Sequence, residues 1–416
     1  MLRSVIANLC DKAAILTVQL LSIPVLTHVW STDGYGIWLM LLTIPTYIAL
    51  SDLGLGAAAA VSITHNVALA RYDEALEALQ STVAFVMAAV GIIALAAIGF
   101  AIAVIFSLVH LGGQFSPVEL GAAIIMITLY SVVLSQMSII TVVYRATHRY
   151  AYAMFYSAAL IVIEGTAVLA SARMLGNIAF AAGLLFLVRT IGYVVFAAIL
   201  RRNEPWIGFG IAHASWSKLR ELAHPSAAAL ALTLANALML QGVLLALGFS
   251  VGPTAVAIFG ASRTLSRIPL QISGLLLRPS LPEMTRAIAE GNYPVVHRLN
   301  RLNLVVAIVA TAPFGIALTL FGQQALNLFS GGKLSASALL FGLLCLAATL
   351  NAVWTALSSP MIAVNRQGQF AYLYLVVSIS ATVITLLPLG TPMLTAATAM
   401  LAAEFLLLVR VRSKST

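Results

Sequence analysis

The stretch Ala257–Ser280, AIFGASRTLSRIPLQISGLLLRPS, is apolar enough to cross a membrane yet carries Arg263, Arg267 and Arg278. An arginine at the bilayer centre costs about 2.5–3.5 kcal/mol on insertion scales, so a spanning helix that holds two at depth needs something to offset them. At about 100° per residue, Arg263, Arg267, Gln271, Gly274 and Arg278 project from one face of a continuous helix. Counted at about 1.5 Å per residue from the outer end, Arg263 lies about 15 Å deep and Arg267 about 21 Å, too deep to reach back to the surface. Arg278 sits near the inner end, where a long side chain can snorkel. The expected compensation for the deep pair is a water-filled, anion-binding cavity; a buried ion pair is the alternative.

The remainder of the chain makes this a membrane segment. The 416 residues are 61% hydrophobic and only 8% charged, with a mean hydropathy of +1.03, and no water-soluble surface can be assembled from them. Apolar windows of spanning length recur at 13–30, 36–62, 81–109, 119–144, 151–174, 177–200, 225–248, 253–280, 301–325, 336–360, 370–389 and 391–411. They carry internal Gly and Pro without a period of two, which predicts helices and excludes a barrel. The predicted class is all-α, a polytopic membrane protein of about twelve transmembrane helices, with no room for a folded soluble domain.

Most of the 22 basic residues fall on the side of the N-terminus. Arg173 and Lys333 fall on the other side, and Arg189, Arg263 and Arg267 lie within spans. By the positive-inside rule both termini are expected in the cytoplasm, so the net charge of +9 reports topology and implies no nucleic-acid partner. The start MLRSVIANLCDK has no small-residue cleavage site, and the first span reads as an uncleaved helix. Cys10 and Cys345 lie at mismatched depths without metal-ligand neighbours, so neither a disulfide nor a metal site is expected, and no residue pattern calls for a cofactor.

Slid against itself by about 220 residues, the sequence repeats weakly but in a persistent register. STDGYGIW from Ser31 lies over SVGPTAVA from Ser250, HNVALARYDEALEAL (65–79) over MTRAIAEGNYPVVHRL (284–299), and RATHRYAYAMFYSA (145–158) over NRQGQFAYLYLVVS (365–378). The predicted organisation is an N-terminal six-helix lobe (1–200), a cytoplasmic linker (201–224) and a C-terminal six-helix lobe (225–416). Six spans per lobe imply a pseudo-two-fold axis along the membrane normal, with a substrate path between the lobes. Within the linker, Trp216, Leu219 and Leu222 share one helical side and Lys218, Arg220 and Glu221 the other, the pattern of an interfacial amphipathic helix.

Several further polar residues fall inside spans. Asp52, in IALSDLGLG, lies at a depth similar to Arg267 on the repeat-equivalent helix and is a candidate partner for it. Asn8, Asp11 and Gln19 cluster around the axis of the first helix, and Asn236 and Gln241 lie in the seventh. Glu164 and Arg189, about 15 and 18 Å from the outer surface on adjacent antiparallel helices, are expected to form a structural ion pair. Glu404 has no obvious partner and reads as either a proton carrier or a buried neutral acid; Glu404 and Asp52 are the candidates for coupling transport to an ion gradient.

The segment NLCDKAAILTVQLLSIPVLTHVWSTDGYGIWLMLLTIPTYIALSDLGLG resembles the first two helices of the polysaccharide (O-antigen and exopolysaccharide) flippases. The shared features are an Asn and a Gln in helix 1, a Pro after the Gln, a D-G-Y-G-I-W turn and a DLGLG close to helix 2. WSKLRELAHPSAAAL is similar to that family's approach to helix 7. These flippases share a superfamily with multidrug exporters and lipid II flippases; the chain departs from the lipid II branch, which typically has two more spans. The resemblance implies a bacterial inner-membrane protein that moves undecaprenyl-pyrophosphate-linked oligosaccharide between leaflets by alternating access. Its partners would be that lipid-linked substrate, membrane lipids and other polysaccharide-assembly proteins. It also implies a transporter instead of an enzyme. The intramembrane polar residues read above, Arg263, Arg267, Gln271, Arg278, Asp52, Asn8, Gln19 and Asn236, are the candidates for its substrate site, since arginines in a low-dielectric cavity suit a pyrophosphate anion.

Three alternatives stay open. A multidrug exporter that favours cationic drugs would be expected to present acids instead of arginines. A major-facilitator-type transporter would share the twelve-span, two-half plan, but the 65–79 loop lacks the expected G-x-x-x-D-[RK]-x-G-[RK]-[RK] pattern. A glycan polymerase or ligase would need a large outer loop, whereas loops such as LGGQFSPVE are short. No P-loop is present, which argues against ATP as the direct energy source.

Overall fold

The long apolar windows break at a few positions, some of them set by proline, while Pro24, Pro313 and Pro360 lie inside helices that continue past them. In the computed structural model, residues 2–49, 55–107, 114–147, 149–208, 210–223, 227–364, 366–387 and 389–415 are described. Helix α1 (Leu2–Leu41) is interrupted at Ser31, whose φ of 60° and ψ of −179° are non-helical, so two helices meet there. Next come α2 (Thr43–Ala49) and α3 (Leu55–Ala68). Pro45 lacks the N–H that would bond Leu41, which explains the break before α2. Four long helices follow: α4 (Tyr72–Ile105), α5 (Pro117–Ala146), α6 (Tyr150–Leu175) and α7 (Ile178–Asn203).

The second half repeats this alternation. After the short α8 (Trp216–Ala223) the chain forms α9 (Ala227–Ala237), a π-helical turn (Leu238–Gly242) and α10 (Val243–Ser250). Helices α11 (Pro253–Ser266) and α12 (Ile268–Ala289) are separated at Arg267. Four long helices again close the series: α13 (Tyr293–Ser330), α14 (Ala338–Ala363), α15 (Gly368–Leu386) and α16 (Pro392–Ser415). Among the described residues ten helical stretches are long and apolar enough to cross a membrane by length and composition. One of them, Ile6–Ala49, has 44 residues, about 66 Å of helix against a hydrocarbon core of about 30 Å, so with its break at Ser31 it can supply two crossings.

Local chemistry fixes several ends. Ser116 and Glu119 form a reciprocal capping box at the start of α5, and the side chains of Asn177 and Ser337 accept backbone bonds at the starts of α7 and α14, each satisfying an orphan N–H. Helices α4 and α13 begin well before the apolar windows at 81 and 301. The acids Asp73 and Glu74 in the first turn of α4 favour a helical N-terminus although hydropathy excludes them.

By contacts the chain divides into two units: Met1–Trp30 with Leu41–Leu230, and Ser31–Met40 with Ala231–Thr416. In the first, Tyr144 stacks on Phe196 at 4.2 Å and donates to its carbonyl at 3.0 Å, within a core of Ile63, Val86, Val143 and Leu200. Leu219 of the linker helix α8 packs on this core while Trp216 is exposed. In the second unit Phe259, Leu247, Phe370 and Trp354 form the core, against which Leu39 and Met40 pack.

The stretch Ser31–Met40 therefore belongs with the C-terminal half by packing. Thr254 donates to Asp33, and Gly36 lies so close to Pro253 that a Cβ there would overlap its backbone. These contacts give the D-G-Y-G motif a physical role. At the turn before α11, Gly252 holds φ 114° and ψ 178°, a region almost restricted to glycine. Its equivalent, Ser31, occupies the same region without that freedom. Likewise Ala70 (φ 55°) and Gly291 (φ 71°) make matching turns before α4 and α13, two residues off the register read from the weak sequence identities. Gly252→Ala is expected to cost about 1–3 kcal/mol, seen as a fall of several degrees in Tm in detergent, and Gly36→Ala more than that; an unchanged Tm in either would contradict this packing.

Candidate functional site

The polar residues of the second unit gather where its helices are irregular. Helix α11 ends at Arg267 (φ −97°, ψ −1°) because Pro269 cannot donate to Leu265 and its ring crowds that turn. This corrects the expectation of one continuous helix carrying Arg263, Arg267, Gln271 and Arg278 on a single face. The stripe is split, with Arg263 in the last turn of α11, Arg267 at the break and Gln271, half-buried, in the first turn of α12. The side chain of Arg278 lies outside the described residues.

Each arginine has a distinct environment. The Arg263 guanidinium donates to the Leu240 carbonyl inside the π-helical turn and lies 5.9 Å from the centre of the Phe259 ring, a cation–π distance. It also interacts electrostatically with Tyr35 and Arg267. A widened π turn is a frequent device at functional positions, and here its carbonyl holds a cation. The Arg267 side chain makes no hydrogen bond or ion pair among the described residues, although it is only half-exposed and within electrostatic reach of Arg263, Tyr374 and Glu404.

Glu404 is 1% exposed on α16. Contrary to the reading that it lacks a partner, Asn351 donates to both of its oxygens at 3.1 Å and the Trp354 indole donates at 2.5 Å. Both donors lie on α14, and their neutrality explains why a search for opposite charges overlooks them. The Trp354 ring meets Tyr374 edge-on at 5.4 Å, and the Tyr374 hydroxyl donates to Asn236 at 3.2 Å. Asn236 in turn donates to the Leu232 carbonyl at 2.9 Å. Asn236, Arg263, Arg267, Gln271 and Glu404 thus belong to one unit, joined by Tyr35, Asn351, Trp354 and Tyr374. A signal for two of these was present: Asn351 and Trp354 stand three residues apart in an otherwise apolar span, and so on one helix face.

The first unit holds the other candidates. Asn8 accepts from the Tyr150 hydroxyl at 3.0 Å, Asp11 is 8% exposed and accepts from Ser157 at 2.9 Å, and Gln19 is exposed on α1. Asp52 lies outside the described residues. Glu164 and Arg189 come together through two contacts of 2.6 Å, Oε1–Nε and Oε2–Nη2; the second is a hydrogen bond, whereas the first lies off the N–H direction. Tyr130 joins them through a 3.3 Å bond from Arg189. A cavity of about 520 Å³ adjoins this cluster, lined by Ser135, Ser138, Thr141, Arg145, Ser157 and Arg189 among others. The hydroxyls of Ser135, Ser138 and Thr141 are spent on carbonyls of their own helix. Cys10 and Cys345 are both free, and among the described residues no group of His, Cys, Asp and Glu could hold a metal ion.

No protein-family model matches the sequence, nor does any curated protein. Solved structures do resemble the fold. An inward-facing multidrug resistance MATE family transporter of the MOP superfamily aligns at a TM-score of 0.76 with 12% identity, over 99% of this chain and 98% of that one. The Vibrio cholerae MATE transporter VcmN in its bent form aligns at 0.64 with 13% identity, over 100% and 96%. An outward-facing multidrug resistance MATE family transporter aligns at 0.64 with 12% identity, over 100% and 94%. The chain therefore has the all-α, two-lobe membrane fold of the MATE transporters.

Proposed function

We propose that this chain is a multi-pass secondary transporter of the bacterial inner membrane, working by alternating access, and that Arg263 and Arg267 bind an anionic group of its cargo. The observation that carries this reading is the half-buried Arg267, whose guanidinium has no hydrogen bond or ion pair among the described residues. Two arginines in electrostatic contact repel, and in a poorly hydrated site that cost is offset when an anion with several acceptor oxygens arrives. The likeness to MATE structures supports the transporter class and favours transport over catalysis.

The finer assignment is to undecaprenyl-pyrophosphate-linked oligosaccharide, supported by the resemblance of the first two helices to polysaccharide flippases and by the charge of a pyrophosphate. In it Arg263 and Arg267 contact the diphosphate, with Gln271, Arg278, Asp52, Asn8, Gln19 and Asn236 along the substrate path and both termini in the cytoplasm. The second reading is an exporter of organic cations, favoured by the fold likeness to multidrug transporters and by Glu404. Vesicles containing the purified protein decide between them: transbilayer movement of a fluorescent lipid-linked oligosaccharide is expected, and movement of a cationic dye without it would select the exporter. Glu404 is proposed as the coupling residue. Glu404→Gln is expected to weaken the response of transport to an imposed pH gradient, and a variant that responds like the unmodified protein returns Glu404 to a structural role.

A further inference from the structure

Each unit builds a similar corner from four elements, and the two corners differ in charge. In the first unit α5 ends in a turn where the Arg149 N–H bonds the Tyr144 carbonyl at 2.8 Å; in the second, α14 ends where the Arg366 N–H bonds the Met361 carbonyl at 2.8 Å. Both bonds reach back five residues, so Arg149 and Arg366 are structural equivalents. The helices that open the corners, α4 and α13, start with Tyr72 and Tyr293 after the matching Ala70 and Gly291 turns.

In the first unit the corner is filled and neutralised. Arg149 stands 3.6 Å from Glu204, just past α7. Trp206 packs on Tyr72 at 5.6 Å, Ile207 is buried, and Gln80 donates to the Gly208 carbonyl at 2.9 Å. In the second unit the equivalent place is a cavity of about 570 Å³, lined by Tyr293, His297, Asn300, Arg366, Gln369 and Lys414 with apolar neighbours. Where Glu204 neutralises Arg149, Lys414 near the end of α16 brings a second positive charge. Among the described residues no carboxylate lines the cavity, and neither Arg366 nor Lys414 forms an ion pair. Asn300 presents a buried Oδ1 without a hydrogen-bond partner, an acceptor that calls for a donor. Beside the exposed Arg366, Gln369 and Lys414 stand two exposed side chains with apolar surface, Tyr293 at 60% and Val364 at 38%.

We propose that this cavity binds the headgroup of an anionic glycerophospholipid, with its phosphodiester on Arg366 and Lys414 and a headgroup hydroxyl donating to Asn300. Basic pockets between membrane helices recognise anionic headgroups in this way, and the exposed tyrosine and valine suit the acyl region beside them. The site is independent of the cargo of transport, and its occupant is a resident lipid.

Native mass spectrometry of the full chain in detergent, titrated with phosphatidylglycerol, phosphatidylcholine or phosphatidylmethanol, tests it. Phosphatidylglycerol is expected to bind at least tenfold more tightly than phosphatidylcholine, and Arg366→Gln with Lys414→Gln to abolish that preference. The charge-keeping pair Arg366→Lys and Lys414→Arg should retain most of it, which separates a lost site from a lost fold. Asn300→Leu should remove the preference for phosphatidylglycerol over phosphatidylmethanol, which lacks headgroup hydroxyls, and leave the preference for anionic lipid in place. Phosphatidylglycerol binding that persists in the double glutamine variant overturns the proposal. So does displacement of the lipid by glycerol phosphate at equal concentration, because the occupant would then be a soluble phosphate ester.

Discussion

If the cargo is the lipid-linked diphosphate proposed above, Arg263→Ala combined with Arg267→Ala is expected to reduce its transport by two to four orders of magnitude without preventing membrane insertion. Hydrogen bonds to charged groups contribute about 1.5–3 kcal/mol each, so losing both cations from a diphosphate removes about 3–6 kcal/mol, which is on the order of 10²–10⁴ in affinity. The single variants should differ in stability. Arg263 holds the Leu240 carbonyl in the π-helical turn, and its loss leaves that acceptor wanting. Arg267 has no such bond and is repelled by Arg263, so Arg267→Ala should leave Tm unchanged or raise it, the behaviour of a residue kept for function at some expense in stability. Arg263→Lys should retain more transport than Arg263→Gln, because charge survives although the planar fork is lost. Normal transport by the double alanine variant would remove the anion-binding role.

The buried pair in the other unit is expected to behave in the opposite sense. Glu164 and Arg189 are 4% and 5% exposed, and breaking a buried pair by removing one partner costs about 3–5 kcal/mol because a charge is stranded. Arg189→Leu or Glu164→Leu alone should therefore lower Tm by roughly 3–6 °C. The double leucine variant should recover most of that loss, since replacing both partners with apolar groups is often neutral or better. A double-mutant cycle on thermal unfolding in detergent measures the coupling. Additive losses would mean that the 2.6 Å contacts contribute nothing, and that Tyr130 and the local packing set stability there.

The long helices were legible because burial in lipid leaves an uninterrupted apolar window, and α5, α6, α7, α14, α15 and α16 start and end within a few residues of those windows. The breaks were less legible. Hydropathy averages across Ser31, Arg267 and the π-helical turn, although Pro45 and Pro269 stood in the sequence as markers of two breaks. The docking of Ser31–Met40 with the C-terminal half was hidden, since only the close approach of Gly36 to Pro253 explains why that turn carries its second glycine. Glu164 and Arg189 could be matched by depth and opposite charge. The Glu404 partners could not, because an amide and an indole satisfy a carboxylate without a charge to search for. The comparison with solved structures places the fold among MATE transporters, while the narrower resemblance to polysaccharide flippases rests on the first two helices and the approach to helix 7.

Recognition of an anionic, diphosphate-bearing lipid cargo by Arg263 and Arg267, as proposed, is tested more directly by binding than by transport. Purified protein should bind undecaprenyl pyrophosphate at least a hundredfold more tightly than undecaprenol, which shares the lipid chain and lacks the charge. The Arg263→Ala and Arg267→Ala double variant should bind the two lipids alike. Equal binding of both lipids by the unmodified protein, or an undiminished preference for the diphosphate in the double variant, would contradict the account.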